Sequence, residues 1–130
     1  MNKTALIDFV IDIDHLTEAK RIKWSRSAND KSFLNSNPQG SIEIVKSYRN
    51  LTNEEGELYS TETYSINVYD NESILVDEIK DYILASEAES NREVNIFLIM
   101  QNIFENARRS ANKSSERIEN IWQYIKNVGK

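Results

Sequence analysis

Residues 41–69 read SIEIVKSYRNLTNEEGELYSTETYSINVY. Two alternating segments flank one cluster of turn residues. Between Ser41 and Arg49, Ile42, Ile44 and Tyr48 fall on one side of an extended chain. Between Leu58 and Tyr69, Tyr64, Ile66 and Val68 do the same, with Tyr59, Thr61, Thr63 and Tyr69 opposite. Asn50 to Glu57 contains Asn53-Glu54-Glu55-Gly56, a hairpin-loop composition, and so short a link joins antiparallel neighbours. The stretch predicts the centre of an antiparallel sheet.

Working toward the N-terminus, residues 27–40 are rich in Ser, Asn and Asp and end in Asn37-Pro38-Gln39-Gly40, a strong turn signal. They read as a loop anchored only by Phe33 and Leu34. Lys20 to Arg26 predicts a strand with Ile22 and Trp24 inward. Ala5 to Asp14 predicts the first strand, because Ile7, Phe9, Ile11 and Ile13 alternate with Asp8, Asp12 and Asp14.

Toward the C-terminus, Asp70-Asn71-Glu72-Ser73 offers N-caps for a helix over Ser73–Glu87 that buries Leu75, Ile79, Tyr82 and Ile83. Glu89-Ser90-Asn91 reads as a joint before a last helix from Arg92 to Asn127. There Phe97, Met100, Phe104, Ala107, Ala111, Ser114, Ile118, Ile121, Ile125 and Val128 recur in alternating steps of three and four, the spacing of a coiled-coil seam. A straight helix of this length spans about 54 Å, whereas the radius of gyration expected for such a chain is about 14 Å. The seam, with Trp122 beside it, therefore predicts cover from a second copy. The alternative is a break at Asn112-Lys113-Ser114-Ser115. The expected fold is α+β in one domain, with about four strands in residues 1–70 and two helices in 71–130, working as a homo-oligomer.

Composition narrows the function classes. The 130 residues are 39% hydrophobic and 28% charged, without cysteine, which excludes disulfides and thiolate chemistry. The longest apolar run, Ile96 to Met100, is too short to span a bilayer, and the aspartates of residues 8–14 exclude a signal-peptide core. A cytoplasmic protein is expected. Residues 1–91 carry 9 Lys/Arg against 17 Asp/Glu, net −8, and residues 92–130 carry 7 against 4, net +3. The acidic body argues against general nucleic-acid binding and suits a protein that masks a basic partner.

Few residues suggest catalysis. Asp12-Ile13-Asp14-His15 could hold a metal or share a proton. Its Asp-x-Asp resembles the nucleophile motif of haloacid-dehalogenase-like phosphatases over these few residues alone. A solvated strand face is the simpler reading. His15 is the sole histidine, and Gly40, Gly56 and Gly129 are scattered, so no zinc set, triad or phosphate-cradling loop stands out. No catalytic residue, metal or cofactor is assigned. Arg108 and Arg109 are the better lead, with Lys113 and Arg117 one and two turns on, because guanidinium groups suit phosphate. They flank the seam's small waist, Ala107 and Ala111. Trp24 and Arg26 could border a ligand, and Tyr82 could stack on a base.

The strand-rich first half, the helical second half and arginine on the last helix resemble the phage Thoeris anti-defence sponge proteins over most of the chain. The resemblance implies a non-catalytic protein holding a cyclic ADP-ribose-type signal between interlocked subunits in the host-cell cytoplasm. It implies Arg109 on phosphate, and Tyr82 with Asn91 or Asn95 on the base. Small acidic bacterial immunity proteins share the outline, which implies an alternative: an inhibitor covering a basic partner protein.

Overall fold

The computed structural model describes residues 1–27 and 30–129. Nine elements follow in order among them: α1 (Lys3–Glu18), β1 (Ser25–Arg26), β2 (Ser32–Asn37), β3 (Gly40–Thr52), β4 (Leu58–Asp70), β5 (Leu75–Lys80), α2 (Asp81–Arg92), α3 (Ile96–Ala111) and α4 (Ser114–Val128). The five strands form one antiparallel sheet in sequence order.

The central hairpin forms where its composition places it. Asn53 accepts backbone hydrogen bonds at Oδ1 from Glu55 (3.0 Å) and Glu57 (2.9 Å), and Gly56 takes the left-handed φ of 81° that closes the turn. At the β2–β3 turn, Gly40 sits at φ 152°, and a Cβ there would overlap the Tyr69 carbonyl oxygen. Register then aligns Phe33 with Ile44, Ile44 with Ile66, and Ile66 with Ile79. All four are buried, so one apolar row crosses four strands.

Helix α3 packs on this row. Its buried residues Ile96, Met100, Ile103, Phe104 and Ala107 follow helical spacing. Phe104 meets Phe33 at 5.3 Å and Tyr64 at 5.7 Å between ring centroids, and Phe97 meets Tyr64 at 5.4 Å. α3 also packs against α1 and α2. Met100, Phe104 and Ala107, expected at a subunit interface, are thus core residues of the protomer, with Phe97 and Ala111 packed beside them. The sheet and α1 supply the cover that a second copy was expected to bring.

Four expectations are corrected. Residues 5–14 are helical: Ile7, Val10, Ile13 and Thr17 share the buried face, and Asn2 Oδ1 caps the helix by accepting from Ala5 N at 2.8 Å. The period-two alternation was incidental, since Leu6 and Val10 break it and fit the helical period. Residues 32–37 are a strand, not loop, because pairing with β3 and burial of Phe33 outweigh polar composition. Lys20–Arg26 keeps only two strand residues. Residues 75–80 are β5 rather than helix: Asp70 Oδ1 accepts from Glu72 N and Ile74 N, with Ser73 at φ 64°, so the proposed cap turns the chain into a hairpin. Among the described residues the sheet therefore has five strands and extends past residue 70, and the helices number four, one of them N-terminal.

The last helix breaks at Lys113, which adopts φ 53°. Arg26 Nε donates to Asn112 Oδ1 at 2.7 Å, and Arg117 Nε donates to the Asn112 carbonyl at 3.1 Å, so both arginines brace the joint. The break falls in the Asn112–Ser115 segment, yet α4 does not fold back onto the sheet. None of its residues is buried.

Truncating Phe104 to Ala removes the ring shared by Phe33 and Tyr64. Urea titration is expected to show a loss of about 3–5 kcal/mol. A loss below about 1 kcal/mol would show that α3 does not depend on this contact.

Candidate functional site

The C-terminal ends of α1 and α3, the linker at residues 19–24 and the first turn of α4 border a cleft of about 700 Å³. It is lined by four cationic side chains, Lys20, Lys23, Arg109 and Lys113, and by two carboxylates, Glu18 and Glu116. Thr17, Ile22 and Trp24 also line it.

Local chain chemistry places each group. α1 ends with Arg21 N bonding the Leu16 carbonyl and Lys20 N bonding the Thr17 carbonyl, which puts Lys20 in the left-handed region at φ 59°. α3 ends similarly, with Lys113 N bonding the Ser110 carbonyl and Lys113 at φ 53°. Glycine is the residue this conformation favours, and a side chain there costs about 1–2 kcal/mol. Both turns present a lysine instead, and both border the cleft. Lys113 is also the N-cap residue of α4 and makes no side-chain capping hydrogen bond. The first N–H groups of α4, at Ser114 to Glu116, thus lack a side-chain cap at Lys113, and a helix N-terminus favours an anion. Among the described residues, none of the four cations is held in an ion pair.

Trp24 and Arg26 serve the frame. Trp24 is 5% exposed, and its indole Nε1 donates to Thr17 Oγ1 at 3.2 Å, so it floors the cleft without offering a free ring face. Arg26 is engaged with Asn112.

The remaining expected site residues lie elsewhere. Arg108 and Arg109 are adjacent on α3 and so point about 100° apart. Arg108 borders a separate hollow with Lys31, Lys46 and Tyr48 and pairs with Glu105 at 2.9 Å. Tyr82 and Asn95 share another cleft of about 650 Å³ that also holds Phe97, Asp81, Glu89 and Glu93. Its carboxylates oppose a phosphate ligand. Arg49 already covers the Tyr82 ring at 3.7 Å, and Asn95 caps α3 by accepting from Leu98 N. Asn91 donates to Glu87 Oε1 at 2.6 Å. The phosphate and base contacts implied by resemblance are therefore not assembled in one cleft of a single chain. Lys20 and Lys23 were not singled out from sequence. The basic run Lys20-Arg21-Ile22-Lys23 inside the acidic half was the available signal.

Asp12, Asp14 and His15 lie on helix α1, not at a strand end, which removes the phosphatase likeness. Asn102 Nδ2 donates to Asp14 Oδ1 at 2.6 Å and Glu18 Oε1 at 2.7 Å, bridging α1 to α3. Among the described residues, no group of three His, Cys, Asp or Glu is placed to hold a metal ion. No helix of the described residues is long and apolar enough to cross a membrane.

Burial pushes the Asp14 carboxyl above its ordinary value of 3.8; the Asn102 hydrogen bond opposes this and the Glu18 charge adds to it. A raised carboxyl binds more protons folded than unfolded, so its contribution to stability falls as pH rises from 3.8 through the folded value. Asp14→Asn keeps an acceptor for Asn102 and removes that slope. Urea titrations near pH 4 and about pH 7 should show the variant gaining on the parent as pH rises. The opposite trend would mean that ionised Asp14 is stabilising. Family models, characterised proteins and solved structures were all compared with this chain, and none matches it.

Proposed function

We propose that the chain is a non-catalytic binding protein that sequesters a small phosphate-bearing ligand in the Arg109 cleft. One observation carries the reading: four cations that form no ion pair among the described residues and an uncapped helix N-terminus border the same cleft. Two carboxylates there leave the lining net positive within an acidic chain. The cleft's volume falls in the range of small-molecule sites. Lysine at two left-handed turns supports the same reading, since strain tolerated beside a cleft points to function. A nucleotide is the best match in size and charge. A cyclic ADP-ribose-type signal, in phage counter-defence, is the first to test.

Calorimetry with cyclic ADP-ribose isomers, cyclic oligonucleotides and nucleoside diphosphates tests the proposal. Arg109→Ala should weaken binding about tenfold or more, a change of about 1.4 kcal/mol, and Tyr82→Ala should leave it unchanged. Lys113→Gly should weaken binding while raising stability by up to about 1 kcal/mol, because it relieves the left-handed strain. Absence of heat with every nucleotide, at protein well above micromolar, would sink the reading.

A second reading, an inhibitor that covers a basic protein, is favoured by β5. This strand is one of the sheet's two edges, β1 being the other, and its flank exposes Ile74, Leu75 and Val76 beside Glu72, Asp77 and Glu78. An exposed edge accepts a partner strand, and the carboxylates select a basic one. Capture of a basic protein that Val76→Lys prevents, with no nucleotide heat, would move the assignment there.

A further inference from the structure

The seam expected over residues 97–128 is divided by the fold. Its first half is consumed inside the protomer, and its second half, on α4, is left uncovered. Ile118, Ile121, Trp122, Ile125 and Val128 are 65, 59, 54, 59 and 67% exposed. At 3.6 residues per turn they form one stripe, with Glu116, Glu119, Asn120, Gln123 and Asn127 on the opposite side.

We propose that α4 pairs with α4 of a second copy of this chain, in antiparallel sense, through this stripe. Three properties single out that occupant. The stripe is complementary to its own reverse: antiparallel pairing about Gln123 sets Ile118 against Val128 of the partner subunit, and Ile121 against Ile125 of the partner subunit. Trp122 then lies beside Trp122 of the partner subunit, on one flank of the seam, and Tyr124 lies on the other flank. The helix dipoles select the direction. Antiparallel pairing opposes them, and it sets the first half of α4, where Glu116, Arg117 and Glu119 sum to −1, beside the half of the partner helix that carries Lys126. It also places the two protomer bodies at opposite ends of the helix pair, where they do not compete for space.

The available area is adequate. The exposed stripe with Tyr124 presents on the order of 700 Å² of side-chain surface per protomer, against the roughly 800 Å² per partner of a standard stable interface. A membrane surface fits α4 less well, because its polar face is acidic and amide-bearing rather than lysine-rich.

Sedimentation and light scattering from about one to about a hundred micromolar should show twice the 15.1 kDa protomer mass, with the population rising with concentration. Ile121→Asp should return the protomer mass without loss of helical circular dichroism, since α4 buries nothing within the protomer. Trp122 emission should shift to the blue on association, while the Trp24→Phe variant retains the shift. The chain has no cysteine, so direction can be read by crosslinking. Ile118→Cys should form a disulfide with Val128→Cys in a mixed sample and not with itself. A protomer mass throughout, a dimer that survives Ile121→Asp, self-crosslinking of Ile118→Cys, or α4-dependent binding to phosphatidylglycerol vesicles by a monomer would each overturn the proposal.

Discussion

Phe33, Ile44, Ile66 and Ile79 stand opposite one another across four strands, and α3 lies against that row through Phe104. Much of the remaining structure depends on this contact. It holds β2 in the sheet despite the polar composition of residues 32–37. It withdraws Met100, Phe104 and Ala107 from any partner. It also sets where α3 ends, and so where the break at Lys113 presents its lysine.

The cleft is a by-product of helix termination. Two helices stop in left-handed turns and a third begins uncapped, all around one depression. A helix end leaves backbone groups without intrahelical partners. The basic residues at the ends of α1 and α3 offset the C-terminal dipoles, and the N–H groups of α4 remain as donors. Arg26 and Arg117 keep this geometry by tying the joint at Asn112 from two sides. The Asn102 side chain, bridging Asp14 and Glu18, ties α1 to α3 behind it.

Apolar surface is distributed unevenly. The sheet and the first three helices close a core, while α4 and the β5 edge keep theirs in solvent. The two exposures differ in kind. β5 offers backbone hydrogen bonding with a few apolar side chains in an acidic setting. Beyond its uncapped first turn, α4 has its backbone satisfied and offers side chains alone, in a self-complementary order.

Local chemistry made several features legible in the sequence. The hairpin at residues 41–69, its Asn53–Gly56 turn, the Pro38–Gly40 turn, the inward Trp24 and the helical character of residues 96–111 follow from periodicity and turn residues that act over a few positions. Arg109 was legible as a cation beside small residues. Other features needed the tertiary structure. A ten-residue segment whose strand-like alternation is broken at Leu6 and Val10 and overlies a helical period, as in residues 5–14, is decided by what it packs against, and α3 offers a surface for a helix. Residues 75–80 became a strand because β4 presented an unpaired edge directly after a tight turn. Lys20 and Lys23 converge with Arg109 and Lys113 only because two helices end at the same place, and no short window of sequence encodes that convergence. The sequence by itself determined where the chain turns and which faces are apolar. The tertiary structure alone decided which of those faces are spent inside the protomer and which remain for a partner or a ligand, because burial depends on the whole set of contacts that long-range packing makes available.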